Sequence, residues 1–406
     1  MAKVRELAPR THVLARQTTR AEMRAWLKAA LVEEVPESAM EGTRAFLLSL
    51  GLVPPEFDYL ASVQQLMTDQ LAGFYDPKEK TMHLLSDLTP EDQKTTLYHE
   101  LVHALQDQHF DLRTLTAWQT DGSDRQSAVH ALAEGDATSA MLQALLAPGQ
   151  RAEDLPDALL EAQTAGSLAV MGTDAVPAII KRSLLAPYVD GLNFVHWARR
   201  RGGWKAVDDL WRRMPASSEQ VLHPEKWLTN EKPECVAVPA PGSTGPKALI
   251  YHDIMGEQAL RILLEEWLPK AAARDAATGW AGDRLAIFNN GNVWALAWQL
   301  RFDDAVSAKR ARLALHRGLL AGKPDMNSRL TPEIASRAIQ VGKVCRERAD
   351  LGPLSVEGAG RSVVILAGPY RQEGSTVSAI GDCRGAAGWA RAVLNAGTVS
   401  DTCGTD

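Results

Sequence analysis

The segment His99-Glu100-Leu101-Val102-His103 constrains this chain more than any other, because its side chains converge only if the five residues are helical. Positions four apart on an α-helix share one face, with about 5–6 Å between their Cβ atoms, so both imidazoles can reach a single point. Glu100 falls beside that pair and not within it. Two imidazoles aimed at one point form part of a zinc ligand set. A carboxylate beside them can take a proton from a metal-bound water without occupying a coordination position. The spacing therefore predicts His99 and His103 as metal ligands and Glu100 as the general base.

The surrounding residues predict the helix that this pattern needs. Thr89-Pro90-Glu91-Asp92 reads as an N-cap, a proline at the first helical position and an acidic first turn. No Gly or Pro follows until well past His109. Leu97, Leu101, Val102 and Leu105 supply an apolar stripe, so the helix is expected to be buried beneath the site.

A catalytic zinc usually takes three protein ligands, and two residues compete for the third place. His109 follows His103 by six residues, the spacing of HExxHxxGxxH proteases, but Gln106 stands where that pattern has glycine. Six residues of unbroken helix turn a side chain by about 240°, so His109 can ligate only if the helix breaks first. The other candidate is Glu134, within an Ala- and Leu-rich run from about 127 to 146 that reads as a second buried helix. A carboxylate amid apolar sequence needs a partner, and zinc is one. Gly135 is expected to let this helix approach the first one closely. Glu134 is the preferred ligand, and Asp107, Asp136 and His130 are candidates for orienting the site.

At this point the chain resembles the gluzincin metallopeptidases, in which an HExxH helix and a glutamate from a following helix hold zinc. It is similar in particular to a poorly characterised bacterial and archaeal metallopeptidase group. The matching pieces are Ala72-Gly73-Phe74-Tyr75-Asp76-Pro77, the run from His99 to Phe110, and Glu134-Gly135-Asp136-Ala137, followed by 218–224 and 279–284. Together they span roughly residues 55–300. The resemblance implies a zincin-like core and a zinc-dependent peptidase. One departure is Thr138, where many gluzincins carry an aspartate four residues after the ligand glutamate.

The chain has 406 residues, 45% of them hydrophobic and 23% charged, enough to bury a core without staples. A net charge of −6 argues against nucleic acid as a partner. The basic residues Arg199, Arg200, Arg201, Lys205, Arg212 and Arg213 are interleaved with Asp208 and Asp209 and read as solvated helix faces. No apolar run reaches the length of a membrane span, and the first residues carry no signal-type apolar region, so the chain as written is expected to be soluble. Its compartment is left open. Cys235, Cys345, Cys383 and Cys403 are too widely spaced for a zinc knuckle or a redox pair; they are expected to be buried free thiols, the alternative being pairing among the last three if the mature protein lives outside the cytoplasm.

The predicted fold class is α+β, mainly helical, with a zincin-like core and a smaller C-terminal α+β module. Residues 1–235 form the helical domain carrying the site, 236–250 a linker rich in Pro and Gly, and 251–406 the module. Residues 20–72 give three amphipathic helices, with Gly51 closing the second. A hairpin follows, with strands at 71–75 and 81–85 around the turn-rich 76–80. Its edge is expected either to pair with an extended substrate or simply to cover the helix. Residues 155–232 read as helical with a break at Gly202-Gly203. Beyond the linker come a helix at 256–267, strands at 284–289 and 292–301, a helix at 303–319 and a strand at 362–367.

These residues lead to a zinc-dependent peptidase that hydrolyses a peptide or protein substrate by Glu100-assisted attack of a zinc-bound water. Zn2+ is the expected cofactor, and His99, His103 and Glu134 are its ligands. His223, ahead of Pro224, is the candidate oxyanion donor, with Tyr188 behind it. Two rival functions are a catalytically silent scaffold that keeps the zinc fold, and a zinc hydrolase of a non-peptide amide or ester.

Overall fold

The structure is a computed structural model that describes residues 1–156, 176–320, 345–346 and 352–396. The fold is α+β. In chain order the first elements are α1 (Ala2–Arg5), β1 (Leu14–Thr18), α2 (Arg20–Glu34), α3 (Glu37–Ser49), α4 (Tyr59–Gln70), β2 (Gly73–Asp76) and β3 (Thr81–Leu85). Among the described residues there follow the α-helices α5 (Pro90–Phe110), α6 (Leu112–Thr116), α7 (Ser123–Leu145), α8 (Ala178–Arg212) and α9 (Ser218–Leu222). After α10 (Pro224–Thr229) come β4 (Ala248–Asp253), α11 (Gly256–Leu264), α12 (Lys270–Ala277), β5 (Trp280–Asn290) and β6 (Val293–Phe302). The chain continues through α13 (Ala305–Leu315), β7 (Cys345–Arg346), β8 (Leu354–Ala359), β9 (Ser362–Glu373), β10 (Thr376–Ala379) and α14 (Cys383–Asn395).

The chain divides into two compact units of comparable length. One comprises residues 1–35, 60–119 and 125–231, the other 36–59, 120–124 and 232–406. The unit that contains the C-terminal residues also includes α3. No described helix is long and apolar enough to cross a membrane.

In the N-terminal unit the predicted hairpin forms, with Gly73 opposite Leu84 and Asp76 opposite Thr81. Its turn is held by Asp76, whose Oδ1 accepts from the backbone N–H groups of Lys78 at 2.7 Å and Glu79 at 3.1 Å. A third strand, β1, pairs in parallel with β3 to give the order β1-β3-β2. Both faces of the hairpin are covered. Phe74 and Leu85 join Met23 and Leu27 of α2 on one side, while Tyr75 and Met82 meet Ala104 of α5 on the other. This accounts for the fully buried β2, since alternate side chains enter two different apolar layers.

Helices α5, α7 and α8 share the second core of this unit, which includes Val102, Ala131, Leu132, Phe194, Val195 and Trp211. Arg5 is fully buried here. Its Nε donates to Asp136 at 2.5 Å, its Nη2 reaches Asp208 at 2.8 Å, and its guanidinium lies 4.7 Å from the Trp204 ring centre. The expected break at Gly202-Gly203 is present, with φ +61° at Gly203. Arg199 departs from the expectation of a solvated basic face: it is buried, paired with Glu153 at 2.8 Å and stacked over Trp204. Part of the stretch read as helical, 157–175, lies outside the described residues.

The C-terminal unit is built on a sheet in the order β4-β5-β6-β9-β8-β7, with β10 beside β9. Successive β6 residues face opposite sides. Trp298 meets Phe46 of α3, whereas Ala297 belongs to the cluster around Trp389 of α14. The span 236–250 is not a free linker at its start, because Glu234 N–H donates to Ala281 O and Arg284 Nε donates to Val236 O at 3.1 Å. The expectation of free thiols is also corrected. Cys345 and Cys383 form a disulfide, Cys235 is disulfide-bonded, and Cys403 lies outside the described residues.

Candidate metal centre

The helix that carries the site begins where its local chemistry dictates. Thr89 is the N-cap, its hydroxyl accepting from Asp92 N–H, and Pro90 occupies the first turn, where its missing donor costs nothing. The helix then runs without interruption to Phe110 and ends on a left-handed Asp111. Its ordered middle brings His99 and His103 onto one face, their ring centres 4.6 Å apart and nearly perpendicular.

Glu134 of α7 completes a cluster of three donors. His99 Nε2 stands 3.0 Å from Glu134 Oε2 and 3.0 Å from His103 Nε2, and His103 Nε2 stands 3.5 Å from Glu134 Oε2. Donors placed about 2.0–2.2 Å from a tetrahedral ion stand about 3.3–3.6 Å apart, so small movements would seat a cation among these atoms. Two imidazole nitrogens and one carboxylate oxygen are also the donor types that zinc accepts in open, three-ligand sites. The residues fit the metal.

The electrostatics of the cluster agree with a place for positive charge. Burial works against the charged form of His103, but Glu134 outweighs it by charge and hydrogen bonding and pushes the imidazole up to about 9. Burial alone would raise Glu134, yet the His103 charge and the hydrogen bonds from three histidines hold it well below the ordinary carboxylate range. Glu134 is 7% exposed, and without a cation a proton on His103 balances it.

Three further residues surround this set. His130, one turn before Glu134, reaches its other oxygen, Oε1, at 3.1 Å. Tyr188 of α8 hydrogen-bonds Glu134 and stacks on His99 with ring centres 6.1 Å apart. The charge of Glu134, followed by burial, keeps that phenol protonated well above its usual range. Gln106, fully buried, accepts from His103 Nδ1 at 2.9 Å and donates to Ala133 O at 3.0 Å. The sequence signal for Gln106 is its place three residues after His103 on the same helix face.

Glu100 is buried at 7% exposure, and its carboxylate makes no side-chain hydrogen bond among the described residues. Its charge acts on both His103 and Tyr188, which puts it within the same polar pocket. His109 lies away from the cluster, its Nε2 2.8 Å from Ala8 O, as an unbroken helix requires. His223 stands at the junction of α9 and α10 with Nδ1 3.8 Å from Glu225 Oε1. Tyr188, the second candidate donor, touches the ligand set at Glu134 and His99.

Of the three candidates for orienting the site, His130 touches Glu134 and the two aspartates serve elsewhere. Asp107 accepts from Tyr75 OH at 2.8 Å, Lys80 Nζ at 2.6 Å and Leu112 N–H at 3.1 Å, fastening the hairpin to α5. Asp136 accepts from Arg5 and from Trp211 Nε1 at 2.9 Å. Gly135 does not bring α7 against α5 as expected. It brings α7 against α8, where a Cβ on Gly135 would stand 2.1 Å from Gly191 O. A second group, Asp76, Glu79 and His83, has donor atoms within reach of one ion, but Asp76 is engaged by its own turn and by Trp26 Nε1 at 3.1 Å.

Residues 248–378, within the C-terminal unit, match a family described as Domain of unknown function (DUF8575). No curated protein matches the chain, and no solved structure matches it. The residues of the metal cluster lie outside the matched span.

Proposed function

We propose that this chain is a zinc-dependent hydrolase of the gluzincin type that cleaves peptide bonds. The observation that carries the proposal is the convergence of His99 Nε2, His103 Nε2 and Glu134 Oε2, with a buried Glu100 beside them that is not part of the donor set. Zinc held there would supply a Lewis acid for the substrate carbonyl and would lower the pKa of a coordinated water.

The chain's own residues divide the remaining work. Glu100 takes the proton from the attacking water and returns it to the leaving amine, a role supported by the freedom of its carboxylate from side-chain hydrogen bonds among the described residues. Tyr188, kept protonated by the charge of Glu134, supplies a hydroxyl donor for the developing oxyanion. His130 and Gln106 hold the ligands in place. A peptide substrate is what the resemblance to gluzincins implies. It is consistent with β1 being an exposed edge strand, since an extended peptide can add to such an edge.

Metal analysis of purified protein, with a peptide-library cleavage profile of wild type and Glu100→Gln, tests the proposal. The expected result is about one zinc per chain, cleavage by wild type, and none by the variant. Protein that takes up no zinc on reconstitution would refute it. Zinc uptake with hydrolysis of simple esters or amides alone would keep the metal centre and overturn the peptide substrate.

A further inference from the structure

We infer that Gln106 is the positioning residue of the metal centre: its side-chain amide decides which nitrogen of His103 faces the cation. The inference rests on the metal reading given above. It starts from a backbone carbonyl. Ala133 O can only accept, so the group 3.0 Å from it must be the NH2 of Gln106, which settles the orientation of the amide. The other end, Oε1, then lies 2.9 Å from His103 Nδ1. An amide oxygen can only accept, so Nδ1 carries a hydrogen. Nε2 is left as the nitrogen that gives up its proton to a cation, and it is Nε2 that stands 3.0 Å from His99 Nε2.

The same amide spans the two helices that carry the ligands. His103 and Gln106 are neighbours on one face of α5, three residues apart, and Ala133 directly precedes Glu134 on α7. Gln106 thereby ties the imidazole ligand to the backbone that carries the carboxylate ligand. It is fully buried, so no solvent water competes for either bond. Partners that fix the tautomer and raise the basicity of a metal-binding histidine typically change metal affinity by about 10–100-fold when removed.

The test uses the full chain as wild type, Gln106→Leu and Gln106→Glu. Zinc affinity is measured by competition with a chromophoric chelator, fold by circular dichroism, and the tautomer by long-range 1H–15N correlation in the zinc-loaded protein. Wild type should show His103 with hydrogen on Nδ1 and zinc on Nε2. Gln106→Leu removes both bonds and should weaken zinc binding by about 10–100-fold. Gln106→Glu keeps an acceptor for Nδ1, loses the donor to Ala133 O and adds a negative charge beside the imidazole, so its zinc affinity should stay within a few-fold of wild type or exceed it even where its stability falls. Zinc on Nδ1 in wild type, or unchanged affinity in Gln106→Leu, overturns the inference alone. Equal losses in both variants would make Gln106 a strut between helices and also overturn it. Should Gln106→Leu fail to fold, the wild-type tautomer and the Gln106→Glu affinity decide. Wild type that binds no zinc overturns the hydrolase reading and this inference with it.

Discussion

Gly135 of α7 and Gly191 of α8 meet backbone to backbone, with no room for a methyl group on either. A Cβ on Gly135 would stand 2.1 Å from Gly191 O, and one on Gly191 would stand 1.8 Å from Ala131 O. The crossing sets the site as well as the core. Glu134 directly precedes Gly135, and Tyr188 lies one turn before Gly191, so the close approach carries the phenol to the carboxylate. Gly191→Ala should therefore destabilise the fold by about 1–3 kcal/mol or more through overpacking. Urea denaturation measures the loss, and zinc affinity should fall with it. A variant as stable as wild type would show that the helices separate freely.

Glu100→Gln should abolish hydrolysis while keeping zinc and the folded state, because Glu100 is buried beside the donor set and not in it. Metal content and turnover of the same preparation check this. Loss of zinc from the variant would make Glu100 a ligand.

Glu134→Ala should weaken zinc binding strongly, since the variant lacks the carboxylate that both ligand imidazoles approach. His109→Ala should bind zinc like wild type, because His109 lies away from the cluster against Ala8 O. Parallel titrations of the two variants separate the outcomes. The opposite pattern would assign the third ligand to His109.

The metal-free protein should lose stability as pH rises above neutrality. His103 is raised from 6.5 to about 9 by Glu134, so folding favours the proton on it. That contribution is complete below about pH 6.5 and disappears as pH climbs through about 9. On the acid side Glu134 is held below its usual value, so its contribution is present above about pH 4.5 and is lost as pH falls. Urea midpoints of chelator-treated protein between pH 6 and 10 should decline in wild type and stay flatter in His103→Gln. A flat wild-type profile would show that the pair is not charged.

Reduction of the Cys345–Cys383 disulfide should destabilise the C-terminal unit. The bond closes a sequence separation of 38 residues, and cross-links of that span stabilise by about 2–4 kcal/mol through the unfolded chain. Thermal unfolding of Cys383→Ser against wild type measures the effect. An unchanged midpoint would mean that the bond adds nothing to the fold.

The α5 helix, the hairpin and the break at Gly202-Gly203 were all legible in the sequence, because each follows from interactions within a few residues. Thr89 caps its own helix, Asp76 closes its own turn, and four-residue spacing puts His99 beside His103. Burial of a carboxylate amid apolar sequence likewise singled out Glu134, since that demand is local too. Tertiary structure alone decided what meets what. Amphipathic patterning shows that α3 has an apolar face but not that Phe46 will lie against Trp298, 252 positions later. Leu14–Thr18 has no alternating pattern, as four of its five residues are exposed, so only pairing with β3 makes it a strand. The thiols of Cys345 and Cys383 could not be matched from spacing. Gln106 reaches a carbonyl 27 residues away, and Tyr188 finds Glu134 only because two glycines let their helices touch. Contacts of that kind depend on the three-dimensional packing of helices that are each specified locally, and no single stretch of sequence contains them.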